Sequence, residues 1–222
     1  NYFLLGFRPP YEIKELLAQC YLIGYKSLGL IAMTGFIIGL VLTMQLRPSL
    51  VRYGVESQLP VMVGIAIIRE IAPVIAALIF AGKIASSIGA ELGSMRVTEQ
   101  IDAMEVSGTH PFKYLVATRV LATTFMLPVL IILADAISLY GAWIGVNIGG
   151  TTSLSLFYSQ VFDSLDFSDI IPAFIKSFFF GFAVGIVGAY KGYNAVKGTR
   201  GVGNAANSAV VLSSILIFVL DL

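Results

Sequence analysis

Charge is what this chain has least of. Only 12% of its 222 residues are Asp, Glu, Lys or Arg, against 57% hydrophobic residues, and the mean hydropathy is +0.88. A soluble domain carries about 25% charged residues. The shortage excludes a soluble globular protein and points to an all-α integral membrane protein, one membrane domain over residues 1–222. Cys20 is the single cysteine, which excludes an internal disulfide and a cysteine metal cluster. The single histidine, His110, precedes Pro111 at an expected membrane edge, where a solvated or capping role is the plainer one, so no metal site is expected. A net charge of +1 argues against a nucleic-acid partner. No G-x-x-x-x-G-K-[ST] loop, H-E-x-x-H pair or plausible Ser/His arrangement occurs. No catalytic residue and no cofactor on this chain are expected, and if ATP drives it, the nucleotide sites lie on a partner. Pro9 and Pro10, followed by Glu12 and Glu15, leave no secretory signal pattern.

What is abundant is long apolar runs. Residues 11–26 mix Tyr11, Ile13, Leu16, Leu17 and Tyr21 with Glu12, Lys14, Glu15 and Gln19, which predicts a helix lying in the membrane interface. Five spans follow. The first covers 28–47 and stops at Arg47-Pro48. The second starts at Pro60 and runs to about Gly89, long enough to tilt or project into water. The third lies within 112–149, with Lys113 and Arg119 holding its first turns at the interface and Pro128 as a possible kink. An external loop covers 150–169, where Leu154, Phe157, Tyr158, Val161 and Leu165 have the spacing of a short amphipathic helix. The fourth span covers 170–190, and 208–222 opens a fifth. That last run is short for a span of about 20 residues and the chain opens on Asn1, so both ends are expected to be trimmed. Ten basic residues fall on one set of faces and two, Arg47 and Arg52, on the other. This predicts a cytoplasmic N-terminus and an external C-terminus.

Between the second and third spans lies a polar, acidic island, Glu91 to Glu105. Val97, Ile101 and Met104 fall at helical spacing, with Glu99, Gln100, Asp102 and Glu105 on the other sides. A short cytoplasmic helix over 91–107 is expected, with a solvated connecting loop as the plainer alternative. Its string ELGSMRVTEQIDAME, with Arg69 to Val74 (REIAPV), Phe80-Ala81-Gly82 and Gly192-Tyr193-Asn194-Ala195, resembles the MlaE/YrbE family, permease subunits of lipid-transporting ABC systems. The likeness covers roughly residues 10–222.

The resemblance implies a homodimer in the cell inner membrane. It implies two cytoplasmic ATPase subunits that bind the ATP, an external Mce-type lipid-binding protein, and a phospholipid or similar amphiphile as cargo. ATPase coupling would fall to Glu91, Arg96, Glu99, Gln100, Asp102, Met104 and Glu105. The lipid path would run between the first two spans, past Gln45, Tyr53, Arg69 and Glu70, with Leu42, Ile71 and Val74 as apolar walls.

Ionisable groups inside spans need a reason to be there. Arg69 and Glu70 are neighbours that point to different sides of a helix, so Glu70 is expected to pair with Lys176 instead, as an ion pair or as a polar spot in a lipid path. Asp135, near Ser138 and Tyr140, is expected to hydrogen-bond a neighbouring helix. Stripes of small residues at Ala81, Ala85, Gly89 and Gly93, at Gly141, Gly145 and Gly149, and at Gly181, Gly185 and Ala189 suit close helix packing, mostly within the chain and in one case between two copies. Two other functions remain open. An ion-coupled transporter would use Glu70, Asp135 and Lys176 as a relay, and a membrane scaffold would only recruit proteins.

Overall fold

A computed structural model describes residues 13–196 and 198–222. Among them there are only helices and turns, and five helices are long and apolar enough to cross a membrane. In chain order these residues form α1 (Ile13–Arg52), α2 (Glu56–Val97), α3 (Gln100–Val106), α4 (Phe112–Asn147), α5 (Leu154–Asp163), α6 (Phe167–Tyr193) and α7 (Thr199–Asp221). The five spans are α1, α2, α4, α6 and α7.

The expected interfacial helix is not separate. Its described part is the first turns of α1, which continues unbroken through the first span to Arg52; Tyr11 and Glu12 lie outside the described residues. The reason is a buried stripe at Ile23, Ser27, Ile31, Gly35, Gly39 and Thr43, every fourth residue, which gives one continuous face to pack. Pro48 sits within the last turns of α1 without stopping it. The stop comes six residues later at Gly54, with φ of 69°. There the Gly54 amide bonds the Val51 carbonyl and the Val55 amide bonds the Leu50 carbonyl, a glycine-terminated helix end.

α2 is interrupted by two wide π turns, Ile67–Ile71 and Ala81–Ala85. The first lies just ahead of Pro73, which cannot donate to the carbonyl one turn back, so the widened turn makes room for its ring. A third π turn, Phe112–Ala117, opens α4 after Pro111. The acidic island is shorter as a helix than the sequence suggests. Glu91 to Val97 prolong α2, because Ile88 and Leu92 continue its buried face. The chain then breaks at Glu99, whose φ is 58°, and only Gln100–Val106 forms the separate α3.

The chain divides into two compact units. One comprises Leu28–Ala76 and Val129–Ser177; the other comprises Ala77–Pro128, Phe178–Leu222 and the described part of Asn1–Ser27. The 28–76/129–177 unit has a core of Leu50, Leu59, Val63, Ile67, Leu139, Val146, Phe157 and Val161. The expected amphipathic helix is α5, which buries Phe157 and Val161 there. α1 and α4 cross without room for a side chain: a Cβ on Gly39 would overlap the Ser138 carbonyl, and one on Gly141 the Phe36 carbonyl. In the other unit, Gly181 and Gly185 lie against Val120 and Thr123 of α4, and Gly89 against Ala205 and Ala206 of α7. The glycines of these stripes are therefore engaged within the chain.

Candidate functional site

Two charged clusters stand out, one in each unit. The first is built on the π turn Ile67–Ile71 of α2. Glu70 Oε2 lies 3.5 Å from Lys176 Nζ of α6, the pair the sequence suggests. Arg69 Nη1 lies 3.5 Å from Asp169 Oδ1, in the first turn of α6, a partner the sequence did not single out. Arg69 Nε also comes within 3.8 Å of Glu70 Oε1. The expectation that these neighbours stay apart is corrected: both side chains are long and bend toward each other over the widened turn. The four charges cancel. The separations are those of loose ion pairs rather than tight hydrogen bonds, and the Arg69 side chain is 60% exposed. The cluster can rearrange, and its guanidinium has donors to offer an anionic group.

The other residues expected along a lipid path do not join this cluster. Gln45, on α1, and Tyr53, in the turn that follows it, are exposed, Tyr53 strongly so, and the ion-pair partners of Arg69 and Glu70 across the fold are instead Asp169 and Lys176. Leu42 packs against the core that holds Ile68 and Ala72. Ile71 and Val74 are half-buried. Asp135 Oδ1 and Ser138 Oγ are buried without a hydrogen-bond partner among the described residues, so these two atoms do not make the expected bond to a neighbouring helix. Tyr140 instead packs its ring on Phe36 and Trp143. In α5, burial raises the Tyr158 phenol above its ordinary pKa, with Tyr140 adding to it, so Tyr158 is a neutral packing residue. Arg47 bridges Glu56 at 2.7 Å and the Val146 and Gly149 carbonyls. This fastens the end of α1 to the end of α4 and the start of α2.

The second cluster surrounds α3. Arg96, in the last turn of α2, holds Asp102 of α3 at 2.5 Å. Ile101 is fully buried and anchors the short helix. Tyr193, at the end of α6, lies near Glu105, Arg96 and Asp102. Gln100 and Glu99 are exposed and Met104 is half-buried. Glu91, also exposed, is engaged on another helix: its carboxylate accepts from Arg119 Nη2 at 2.7 Å. Arg119, expected at the interface, is only 3% exposed. The sequence did carry a signal for this pair, since Glu91 and Arg119 stand equidistant from Glu105, as opposed residues of an antiparallel helix pair do. The same unit holds an apolar groove of about 410 Å³ between α4 and α6, with Val120, Phe125 and Phe182 in its walls and Tyr190, Tyr193 and Asn194 also along it.

The comparisons with known proteins agree with the pattern of spans and island. A probable ABC transporter permease protein of Rickettsia typhi is 38% identical over 216 residues, 96% of this chain and 82% of that protein. A probable ABC transporter permease protein of Pyropia yezoensis is 36% identical, over 93% of this chain and 79% of its own length. The intermembrane phospholipid transport system permease protein MlaE of Haemophilus influenzae is 35% identical over the same shares. The family described as Permease MlaE matches residues 16–222, nearly everything the structure describes. This multi-pass membrane protein therefore belongs to the MlaE permease family.

Proposed function

We propose that the chain is the permease subunit of an ABC transporter that moves phospholipids or similar amphiphiles between the inner membrane and the outer envelope. The observation that carries this reading is the family match over residues 16–222, together with the likeness to the Haemophilus phospholipid permease. Two copies form the membrane part, two ATPase subunits bind ATP on the cytoplasmic side, and an Mce-type lipid-binding protein sits outside. The absence of a nucleotide-binding motif in the sequence fits a permease that borrows its ATPase. The distribution of basic residues supports a cytoplasmic α3 and N-terminus and an external C-terminus.

In this reading the exposed side of α3, with Glu99 and Gln100, meets the ATPase. The cluster of Arg69, Glu70, Asp169 and Lys176 is the polar spot of the lipid path. A zwitterionic or anionic headgroup can exchange with these loose ion pairs at modest cost, because long, part-exposed pairs gain little from one another. The test is reconstitution of the purified complex into vesicles with labelled phospholipid, with copurifying chains and lipids identified by mass spectrometry. ATP-dependent lipid transfer and a copurifying ATPase are the expected result. Transfer that ignores ATP and stops when a proton gradient is collapsed would instead support the relay of Glu70, Asp135 and Lys176. A complex that holds no lipid and moves none would support a scaffold.

A further inference from the structure

Arg119 is the least exposed charged side chain among the ion pairs of the described residues, at 3%. Its guanidinium does two things at once. Nη1 donates to the Leu115 carbonyl at 2.9 Å, and Nη2 donates to Glu91 at 2.7 Å. Leu115 belongs to the π turn Phe112–Ala117. A π turn shifts the usual i to i−4 pairing and leaves carbonyls to be satisfied by side chains. Thr118 Oγ1 serves the Tyr114 carbonyl at 2.6 Å, and Arg119 serves Leu115. Among the described residues Nε of Arg119 has no partner, and the guanidinium is held by these two acceptors.

The far end of the tie is equally specific. Glu91 lies on the part of α2 that leads into Arg96, and Arg96 holds Asp102 of α3. A continuous route therefore runs from α3 through the end of α2 to the π turn of α4. We infer that the Glu91–Arg119 pair is the tie through which a displacement of α3 reaches α4, and that both are positioning residues for ATP-driven coupling. The inference rests on the ABC reading above and reassigns Glu91 from ATPase contact to internal strut. A charge-assisted bond to a guanidinium that cannot relax into water is stiff, and a π turn is a place where a helix can change its pairing locally. A stiff tie ending on a soft turn passes movement into α4.

The experiment uses the reconstituted complex with its ATPase and a Cys20→Ser background. One environment-sensitive label is placed at Ala103→Cys on α3 and, in a second preparation, at Phe125→Cys on α4; both positions are exposed. In the unaltered pair, a non-hydrolysable ATP analogue shifts both signals. With Glu91→Leu, the signal at 103 is kept and the signal at 125 is lost. Glu91→Gln falls in between, and Glu91→Asp restores part of the response. A wild-type signal at 125 in Glu91→Leu overturns the inference. Parallel loss of both signals with a lower melting temperature also overturns it, since that is what a merely structural bond would give. A silent label at 103 in the unaltered complex removes the ABC reading and this inference with it. Signals that move as expected in a complex that transfers no lipid keep the tie and reject only the cargo.

Discussion

The two charged clusters differ in tightness, and the difference separates their jobs. Around α3 the pairs close to 2.5 and 2.7 Å, and one partner, Arg119, is almost wholly buried. On the π turn of α2 the separations are 3.5 to 3.8 Å, with Arg69 60% and Glu70 47% exposed. A short, desolvated pair resists displacement and holds elements in register. Long, half-exposed pairs gain little from one another and can give way to a ligand. Residue types hardly separate them, since both clusters combine Arg with Asp and Glu and the loose one only adds Lys176.

The largest effect should follow from breaking the tight pair. Glu91→Ala leaves the Arg119 guanidinium buried with the Leu115 carbonyl alone. Losing one partner of a fully buried pair costs about 3–5 kcal/mol, and the 49% exposure of Glu91 puts this case at the low end. Thermal unfolding in detergent reads it directly. Glu70→Gln, the matching change in the loose cluster, should cost no more than about 1 kcal/mol. Equal losses at the two sites would erase the distinction.

Next in size is ATPase docking. Glu99→Lys should weaken recovery of the ATPase in a pull-down while the permease stays folded. A charge within a desolvated contact is worth about 2–5 kcal/mol, and one at the rim less. Asp102→Lys would also break the Arg96 pair, so it changes the shape of α3 as well as its charge. Full recovery of an active complex with Glu99→Lys would remove Glu99 from the docking surface.

The spans could be read in the sequence because hydropathy alone marks them. The boundaries could not, and the causes are local. Polar residues at 12–19 suggested a separate interfacial helix, while the fourfold spacing from Ile23 to Thr43 already held the face that makes α1 continuous. Glu91 and Arg96 appear polar and loop-like, yet Ile88 and Leu92 carry the α2 core past them. The Glu70–Lys176 pair is legible because two opposite charges within spans invite each other. Asp169 was missed because it seemed to belong to a solvated loop, whereas α6 begins at Phe167 and places it in the first turn.

A smaller effect is expected on transport itself from Glu70→Gln. A proton relay must change protonation in every cycle, so a residue that cannot titrate would stop it. A headgroup contact needs shape and hydrogen bonding, which Gln retains. Most of the ATP-driven lipid transfer in vesicles should persist. Complete loss, with folding and ATPase binding intact, would make Glu70 a relay group and remove the loose cluster from the list of ligand contacts.

The finest difference concerns where lipid touches the chain. If the loose cluster is part of a lipid path along the first two spans, a photo-crosslinker at Tyr53 or Gln45 should capture phospholipid more than bulk bilayer contact does. Leu42 is a poorer place for the label, because it packs into the core beside Ile68 and Ala72 and a bulky probe would disturb that packing. The reference label should avoid the groove between α4 and α6, whose apolar walls would hold an acyl chain for reasons unrelated to transport. Val211, exposed on α7, meets that need. Capture at Tyr53 that exceeds capture at Val211, and that falls when ATP is turned over, would connect the exposed C-terminal end of α1 and the turn after it to the path. Equal capture at the two positions would leave the four charges of α2 and α6 as a structural ion network and place the lipid elsewhere on the protein.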